Sequence, residues 1–243
     1  MSMPLPDEIE REIEAMVAAY VVRRTDFVKL AKRVETDFVE HDSLRPFIHS
    51  TKQREKDPTH LSDKLRRKAT EAIEAKKAFT ITSKNLFERV GDLAGVRLLH
   101  IYTEQLTDIH PKIIDILKHY KYRLRERPLV YIWDLERKKF LEDLGLKVIV
   151  RPQLYTSVHY VVEPHWDKMG CEIQVRTLAE ELWGEVSHKI NYPHQTDSIA
   201  CREQIAALAR VASGCTRLVD SIFSSHTEHL SDKGIGNAKE PKG

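Results

Sequence analysis

The central part of the chain contains five short segments in which β-branched residues are concentrated, and long segments with helical periodicity lie on both sides of them. The five segments are 96–101, 130–133, 147–150, 157–162 and 171–175. Val, Ile and Thr favour extended backbone because their branched side chains fit a pleated surface. Helices followed by a sheet and by further helices are typical of an α+β or α/β domain. The sequence therefore predicts a mixed central sheet of about five strands with flanking helices.

The predicted helices frame this sheet. Apolar residues recur at helical spacing along a first helix over 7–40 and along a last helix over 198–224. Between them the pattern predicts helices over 59–77, from Thr82 and Ser83 onward, over 103–120 and over 178–190. The residues from Ser231 onward are rich in Gly and Lys, which predicts a flexible tail.

The composition does not define a ligand. The net charge is only +2 over 243 residues, which argues neither for nor against nucleic acid. Three cysteines without metal-ligand spacing argue against a disulfide framework or a zinc site and agree with a reducing cytoplasm. The start of the sequence does not resemble a signal peptide, and no apolar run reaches the roughly 20 residues of a membrane span. We therefore expect a cytoplasmic protein without a membrane partner.

The first cluster of candidate functional residues is basic. Arg54 and Lys56 stand just before a helix start marked by Pro58, and Lys64 lies on that helix. Free amides at a helix N-terminus and nearby side-chain cations together make an anion site. A solvated basic face is the alternative interpretation of this run.

An acidic residue and an arginine flank Gly95 at the start of the next strand. Asp92 lies just before the strand, where its carboxylate can hold a hard divalent cation such as Mg²⁺. Arg97 lies inside an otherwise apolar strand and is costly to bury without an anionic partner. A salt-bridged turn is the alternative interpretation of this segment.

A later strand carries aromatic, hydroxyl and imidazole groups on one face. Tyr155, Ser157 and His159 alternate along it, while Val158 and Tyr160 take the other face. Such a polar face can stack a base and bind its ribose or phosphates. A half-exposed strand with a solvated face is the alternative.

The last predicted strand also carries three polar side chains on one face, Glu172, Gln174 and Arg176. Glu172 is a candidate metal ligand or general base, and Arg176 is a candidate phosphate clamp. The helix that follows carries Trp183, which we expect in the core, and His188.

In this order and spacing, the four stretches resemble the synthetase domain of the RelA/SpoT family of guanosine pyrophosphokinases. The resemblance covers residues from about 48 to 192. The residues that match the family's motifs are Arg54, Lys56, Lys64, Asp92, Gly95, Arg97, Tyr155, Ser157, His159, Glu172, Ile173, Gln174, Arg176, Thr177, Trp183, His188 and Lys189.

The resemblance implies a nucleotidyltransferase-like synthetase fold and an enzyme that moves pyrophosphate from ATP to the ribose 3′-hydroxyl of GDP or GTP. It implies that Asp92 and Glu172 are catalytic and hold Mg²⁺, and that Glu172 helps to remove the hydroxyl proton. The implied ATP-binding residues are Arg54, Lys56, Lys64 and Arg97. The implied acceptor-binding residues are Tyr155, which would stack on the base, Ser157, His159, Gln174, Arg176 and His188.

The resemblance also implies how the chain is divided. An N-terminal helix over 1–45 would precede a synthetase domain over 46–195, followed by a C-terminal helix over 196–230 and a flexible tail over 231–243. The chain would be a stand-alone small member of the family, without the hydrolase domain and regulatory region of the long members. Small synthetases of this family are often oligomers, so a homo-oligomer is a further expectation.

The sequence departs from the family pattern on the acceptor side. The family usually has K-x-N-G directly before the Tyr, and this chain has R-P-Q-L at 151–154. Ser187 stands where the family often has Glu, and His60 where its small synthetases commonly have Ser. An adenosine nucleotide or the 3′ end of tRNA, as in toxic members countered by an antitoxin, is therefore an alternative acceptor. A catalytically silent nucleotide-binding domain is the third hypothesis.

Overall fold

A mixed sheet of seven strands lies at the centre of the structure, a computed structural model that describes residues 5–151, 154–191 and 195–233. The strands are β1 Ser50–Glu55, β2 Ala94–His100, β3 Tyr122–Leu124, β4 Leu129–Ile132, β5 Lys147–Val150, β6 Ser157–Pro164 and β7 Cys171–Thr177. The helices are α1 Asp7–Val39, α2 Pro58–Glu74, α3 Leu86–Arg89, α4 Leu106–His119, α5 Lys138–Asp143, α6 Leu178–Asn191 and α7 Ile199–Asp232.

The α+β class and the mixed central sheet are confirmed, and all five predicted strands are present. The sheet is larger than predicted because β1 and β3 add to it. β1 reads S-T-K-Q-R-E and β3 has only three residues, so neither contains a run of β-branched residues. Their extended backbone comes from pairing, since β1 lies antiparallel to β2 and β3 lies antiparallel to β6.

Several helices differ from the prediction: α2 ends at Glu74 instead of 77, α4 begins at Leu106 after a 3-10 turn over 103–105, and α5 was not predicted. α3 begins at Leu86, because the side chain of Asn85 accepts a hydrogen bond from the Thr82 amide and closes a turn over the residues expected to start the helix. α7 runs to Asp232, beyond the expected end at 224 and into the expected tail. The rest of that tail, 234–243, and residues 152–153 lie outside the described residues.

The two faces of the sheet differ in character. The strand order is β1-β2-β7-β6-β4-β5, with β3 paired to β6. One face is apolar, and α1 and α4 pack against it in a single core. Residues opposite each other in register share a face. The registers accordingly place a row of polar side chains on the other face: Lys52, Arg54, Arg97, Gln174, Glu172, Arg176, His159, Ser157 and Tyr131.

α6 and α7 pack together beside the polar face. The indole Nε1 of Trp183 donates to the carbonyl of Ile205 at 3.1 Å, and Trp183 packs with Ala209 and Ala212 in a second apolar cluster. The expectation that Trp183 belongs to a core is confirmed. Within the described residues, we find no helix with the length and apolar character needed to cross a membrane.

Asp57 caps α2 and thereby helps to set the position of Lys64. Its carboxylate accepts hydrogen bonds from the backbone amides of Thr59, at 2.8 Å, and His60, at 3.2 Å. Pro58 occupies the first turn, where its missing N–H costs nothing. The two hydrogen bonds, that from His60 first, lower the pKa of Asp57.

Replacing Asp57 by Ala is predicted to lower the free energy of unfolding by about 1 kcal/mol at neutral pH. Because the pKa is lower in the folded protein, this stabilisation is present above the ordinary carboxyl pKa of 3.8 and is lost as the pH falls through the folded value. Urea unfolding at neutral and acidic pH measures the difference. Asp57→Asn, which keeps an acceptor oxygen without a titrating charge, is the control. A loss in Asp57→Ala that is independent of pH would contradict this assignment.

Candidate active site

The carboxylate of Asp92 lies between two lysine side chains that come from different elements. Asp92 precedes β2, Lys56 follows β1 and Lys64 lies on α2. The Nζ of Lys56 is 3.1 Å from Oδ2 of Asp92, and the Nζ of Lys64 is 2.6 Å from Oδ1. The Tyr20 hydroxyl of α1 donates to the Lys56 carbonyl at 2.6 Å and fixes the backbone there. One carboxylate therefore joins the edge strand, the basic helix and the loop before β2.

Asp92 and Lys56 affect each other's ionisation. Burial opposes ionisation of Asp92, but the charges of Lys64 and Lys56 outweigh it and hold the pKa of that carboxyl well below its usual range. The Lys56 side chain is 5% exposed, and its burial lowers the pKa of the ammonium although Asp92 opposes the shift. Asp92 is therefore an anion whenever the protein is folded near neutral pH.

Glu172 is held on β7 by side chains from two strands. His159 Nδ1 lies 2.8 Å from Oε1 of Glu172, and Gln174 Nε2 donates to Oε2 at 2.6 Å. Burial raises the pKa of Glu172, but the hydrogen bond and charge of His159 outweigh it, so that the pKa is lowered overall. The negative charge of Asp92 acts in the opposite direction to that of His159 and raises the pKa of Glu172.

Strand pairing and one glycine bring the two carboxylates together. β2 and β7 are parallel, and Gly95, three residues after Asp92, lies opposite Glu172. A Cβ at Gly91 would collide with Cγ1 of Val161, so the loop that carries Asp92 passes this close to β6 only with glycine there. Both side chains are 16% exposed and can still be reached by a ligand.

Two arginines of the polar face are paired with acidic residues of α6. Arg97 forms ion pairs with Glu181, at 2.7 Å, and with Glu185. Arg176 lies 3.1 Å from Glu181 and donates to Gln174 Oε1 at 2.6 Å. The anionic partner that a buried Arg97 requires is thus supplied by the protein itself.

Sequence reasoning missed Glu181 and Glu185. A signal was present, because positions 181 and 185 are one turn apart on the predicted helix and lie on one face. Nε of Arg176 is buried and has no hydrogen-bond partner in the described part of the chain, whereas Oε2 of Glu181 is in ion-pair contact with Nη1 of Arg176 without hydrogen-bond geometry. The arginine Nε is therefore a donor that a bound anion could satisfy.

A cleft of about 280 Å³ brings donor-side and acceptor-side candidates together. Among the residues that line it are Arg54, Arg97, Tyr155, Gln174, Arg176 and His188. The rings of His60 and His188 are 6.0 Å apart, so both histidines lie at this region. Ser157 is buried, and its hydroxyl donates to the Val175 carbonyl at 3.5 Å.

Leu154 has the conformation that glycine adopts most readily. Its φ is 58°, in the left-handed region that costs an L-residue about 1–2 kcal/mol. The side chain packs against the apolar cluster of Trp183 and Ile205, which holds the backbone in this conformation. The replacement of the family's glycine by leucine is therefore compatible with a left-handed backbone beside Tyr155.

Comparisons with known proteins agree with this architecture. The fold is shared with a GTP pyrophosphokinase family protein from Streptococcus pneumoniae, with a TM-score of 0.57, 20% identity and coverage of 93% of this chain and 97% of that one. It is also shared with small alarmone synthetase 1 from Bacillus subtilis bound to its product pppGpp, with a TM-score of 0.57, 18% identity and coverage of 85% and 95%. The fold is therefore that of the small alarmone synthetases.

The family follows from the sequence match. The family described as "Region found in RelA / SpoT proteins" matches residues 53–197, more than half of the chain, and the chain belongs to this family. GTP pyrophosphokinase YwaC of Bacillus subtilis (strain 168) is 28% identical over 156 residues, which are 62% of this chain. The match spans 61% of the length of that relative.

Replacing Asp92 by Asn is predicted to lower the free energy of unfolding by about 1–3 kcal/mol, because it leaves the buried Lys56 ammonium without its charged partner. Combining Asp92→Asn with Lys56→Met is predicted to recover most of this loss. Urea unfolding of the wild type, both single variants and the double variant measures the coupling. Additive losses in the double variant would contradict a coupled pair.

Proposed function

We propose that the protein is an ATP-dependent pyrophosphokinase that transfers the β,γ-pyrophosphoryl group of ATP to the ribose 3′-hydroxyl of GDP or GTP and releases AMP. The observation that carries this proposal is the pair of ionised carboxylates, Asp92 and Glu172, on a sheet face that also carries Arg54, Arg97 and Arg176. Phosphoryl-type transfer depends mainly on positioning and charge stabilisation, and such a row supplies both.

The donor half of the site is the cluster around Asp92. Lys56 and Lys64 reach the same carboxylate from two elements, and Arg54 lines the adjoining cleft. A triphosphate offers these cations more negative charge than one carboxylate does. We infer that ATP binds with its phosphates against Lys56, Lys64 and Arg54. Glu181 and Glu185 already neutralise Arg97, so this arginine would lie behind the three cations and support them without contacting the phosphates itself.

The two carboxylates fit a magnesium ion. Mg²⁺ is commonly held by one or two carboxylates together with substrate phosphates and water. Asp92 and Glu172 are both ionised and partly exposed, and the strand register places Glu172 opposite Gly95, three residues after Asp92. Within the described residues no group of three or more acidic, His or Cys side chains could hold a metal ion, so the substrate would have to supply further ligands. We infer that Asp92 and Glu172 hold Mg²⁺ with the ATP phosphates completing its ligands. When bound, Mg²⁺ would neutralise charge on the transferred group.

The reaction requires a proton acceptor beside the acceptor ribose. The 3′-oxygen forms a bond to the β-phosphorus of ATP, while the bond between that phosphorus and the α,β-bridging oxygen breaks and AMP departs with the electron pair. Glu172 is placed to take the hydroxyl proton, because it is ionised and its hydrogen bond from His159 fixes its orientation. Arg176 is placed for the acceptor phosphates, with its unpartnered Nε available.

GDP or GTP is the acceptor that we propose. The curated relative from Bacillus subtilis is named a GTP pyrophosphokinase. The change from glycine to Leu154 motivated other acceptors, but Leu154 keeps a left-handed φ of 58°. The backbone beside Tyr155 therefore offers no conformational reason to expect an adenosine nucleotide or tRNA.

An acceptor screen with ATP labelled in its γ-phosphate tests the proposal. We predict label in the product of GDP or GTP, with one AMP formed per transfer, and a kcat for Glu172→Gln lower by about 10²–10⁴-fold. Glu126→Gln, which alters an exposed glutamate on another segment, is the matched control and should behave as the wild type. Label transferred only to an adenosine nucleotide or to tRNA would reject the proposed acceptor. Absence of AMP with every acceptor would reject the proposed reaction.

Mg²⁺ is predicted to bind together with the triphosphate and only weakly without it. Lys56 and Lys64 already balance the charge of Asp92, so a dication alone meets two ammonium groups, whereas phosphates neutralise them. Calorimetric titration of Mg²⁺ into the protein, with and without a non-hydrolysable ATP analogue, measures this difference. Mg²⁺ binding of comparable strength in both titrations would contradict the inference that Lys56 and Lys64 turn from Asp92 to the phosphates.

A further inference from the structure

We propose that Tyr20 of α1 is a positioning residue of the donor half of the site: its hydroxyl holds the backbone of Lys56 and thereby directs the Lys56 ammonium toward the triphosphate of ATP. This role rests on the proposed function. It extends the donor site to α1, a helix that ends at Val39, before the residues 53–197 that match the family. The first helix would thus support ATP binding as well as cover the core.

Lys56 lies in the short link between β1 and α2. The strand β1 ends at Glu55, and α2 begins at Pro58. A buried carbonyl that lies outside both elements needs a hydrogen-bond donor from elsewhere in the protein. The Tyr20 hydroxyl supplies one, because it donates to the carbonyl of Lys56 with 2.6 Å between the two oxygens. The orientation of the Lys56 backbone is therefore set from α1.

Tyr20 has the properties of a fixed support. Its side chain is fully buried, and its ring packs against that of Phe27 with 5.6 Å between the ring centres. Burial raises the pKa of Tyr20 to about 12, so the hydroxyl stays protonated and donates its hydrogen bond at neutral pH. Arg24, one turn later on α1, forms an ion pair with Glu55, the residue before Lys56. The helix therefore holds two successive residues at the end of β1.

The position of the Lys56 ammonium depends on this backbone. The side chain is nearly buried, and its Nζ lies 3.1 Å from Oδ2 of Asp92. Because close packing leaves a buried side chain little room to take another path, its ammonium follows the orientation of its own backbone. Lys64 reaches the same carboxylate from α2, without the hydrogen bond of Tyr20. Loss of the Tyr20 hydroxyl is therefore expected to displace the ammonium of Lys56 and to leave that of Lys64 in place.

A purely structural role for the hydroxyl is the competing interpretation, and Tyr122 of β3 supplies the comparison. Its hydroxyl is also buried and also bonds α1, since it donates to Oδ2 of Asp37 at 2.7 Å. The two hydrogen bonds should therefore contribute similarly to stability. They differ in place, because the bond of Tyr20 ends on the link that carries Lys56 and the bond of Tyr122 ends near the end of α1.

Calorimetric binding of a non-hydrolysable ATP analogue with Mg²⁺ tests the role of Tyr20, and steady-state kinetics with ATP and GDP complete the test. Tyr20→Phe keeps the ring and removes the hydroxyl. We expect this variant to raise the Kd for the analogue and the KM for ATP by roughly 3- to 10-fold, the effect of one hydrogen bond, with kcat and the KM for GDP unchanged. Tyr122→Phe is the matched control. It should lower the midpoint of urea unfolding about as much as Tyr20→Phe and bind the analogue as the wild type does.

The variant Lys56→Met shows whether Tyr20 acts through Lys56. In that background Tyr20→Phe should cost no further affinity for the analogue, because the ammonium that the hydroxyl positions is gone. Wild-type affinity in Tyr20→Phe, an equal loss of affinity with and without Lys56, or the same loss in Tyr122→Phe would overturn the proposal. Analogue binding that depends on Tyr20 through Lys56, but without any transfer to GDP, would reject the proposed reaction and support the positioning role. A wild type that binds no analogue would overturn both.

Discussion

The ion pairs that Asp92 makes with Lys56 and Lys64 are the interaction on which the arrangement of the site depends. They join the end of β1, the helix α2 and the loop before β2. A nearly buried ammonium such as that of Lys56 is tolerated only beside an anion. The same pairing that makes the fold locally stable keeps the carboxylate ionised and gathers cations around it. Stability and the proposed capacity to bind phosphate thus have one physical source.

From that point the polar face of the sheet continues as a series of charge pairs. Glu181 of α6 balances both Arg97 and Arg176, and His159 holds Glu172. Each of these contacts is between groups that could exchange a protein partner for a substrate group of the same charge. In the free protein these charges are neutralised by protein partners, and the proposed substrates would replace some of those partners on binding.

The sequence predicted the parts of this structure that depend on local pattern. The five strands followed from their β-branched runs and the long amphipathic helices from periodicity. Asp92 was singled out by its place just before a strand, and Glu172 by the alternation of polar side chains along its strand. The edge strand β1 was not predicted, because its extended backbone depends on pairing with β2 rather than on its own residues. The place of Tyr131 on the polar face was not predicted, because 130–133 reads as a short buried strand. Only the register of β4 with β6 shows that its side chain lies on that face. The left-handed backbone conformation of Leu154 could not be predicted either, since it depends on packing against α6 and α7.

A crystal structure of the protein with Mg²⁺ and a non-hydrolysable ATP analogue would test the central claim most directly, namely that the Asp92 cluster is the phosphate-binding centre. We predict that Nζ of Lys56 and Nζ of Lys64 will lie within hydrogen-bond distance of phosphate oxygens, with Mg²⁺ bound by Asp92 and Glu172. A triphosphate bound away from both lysines, or a metal ion held by neither carboxylate, would contradict it.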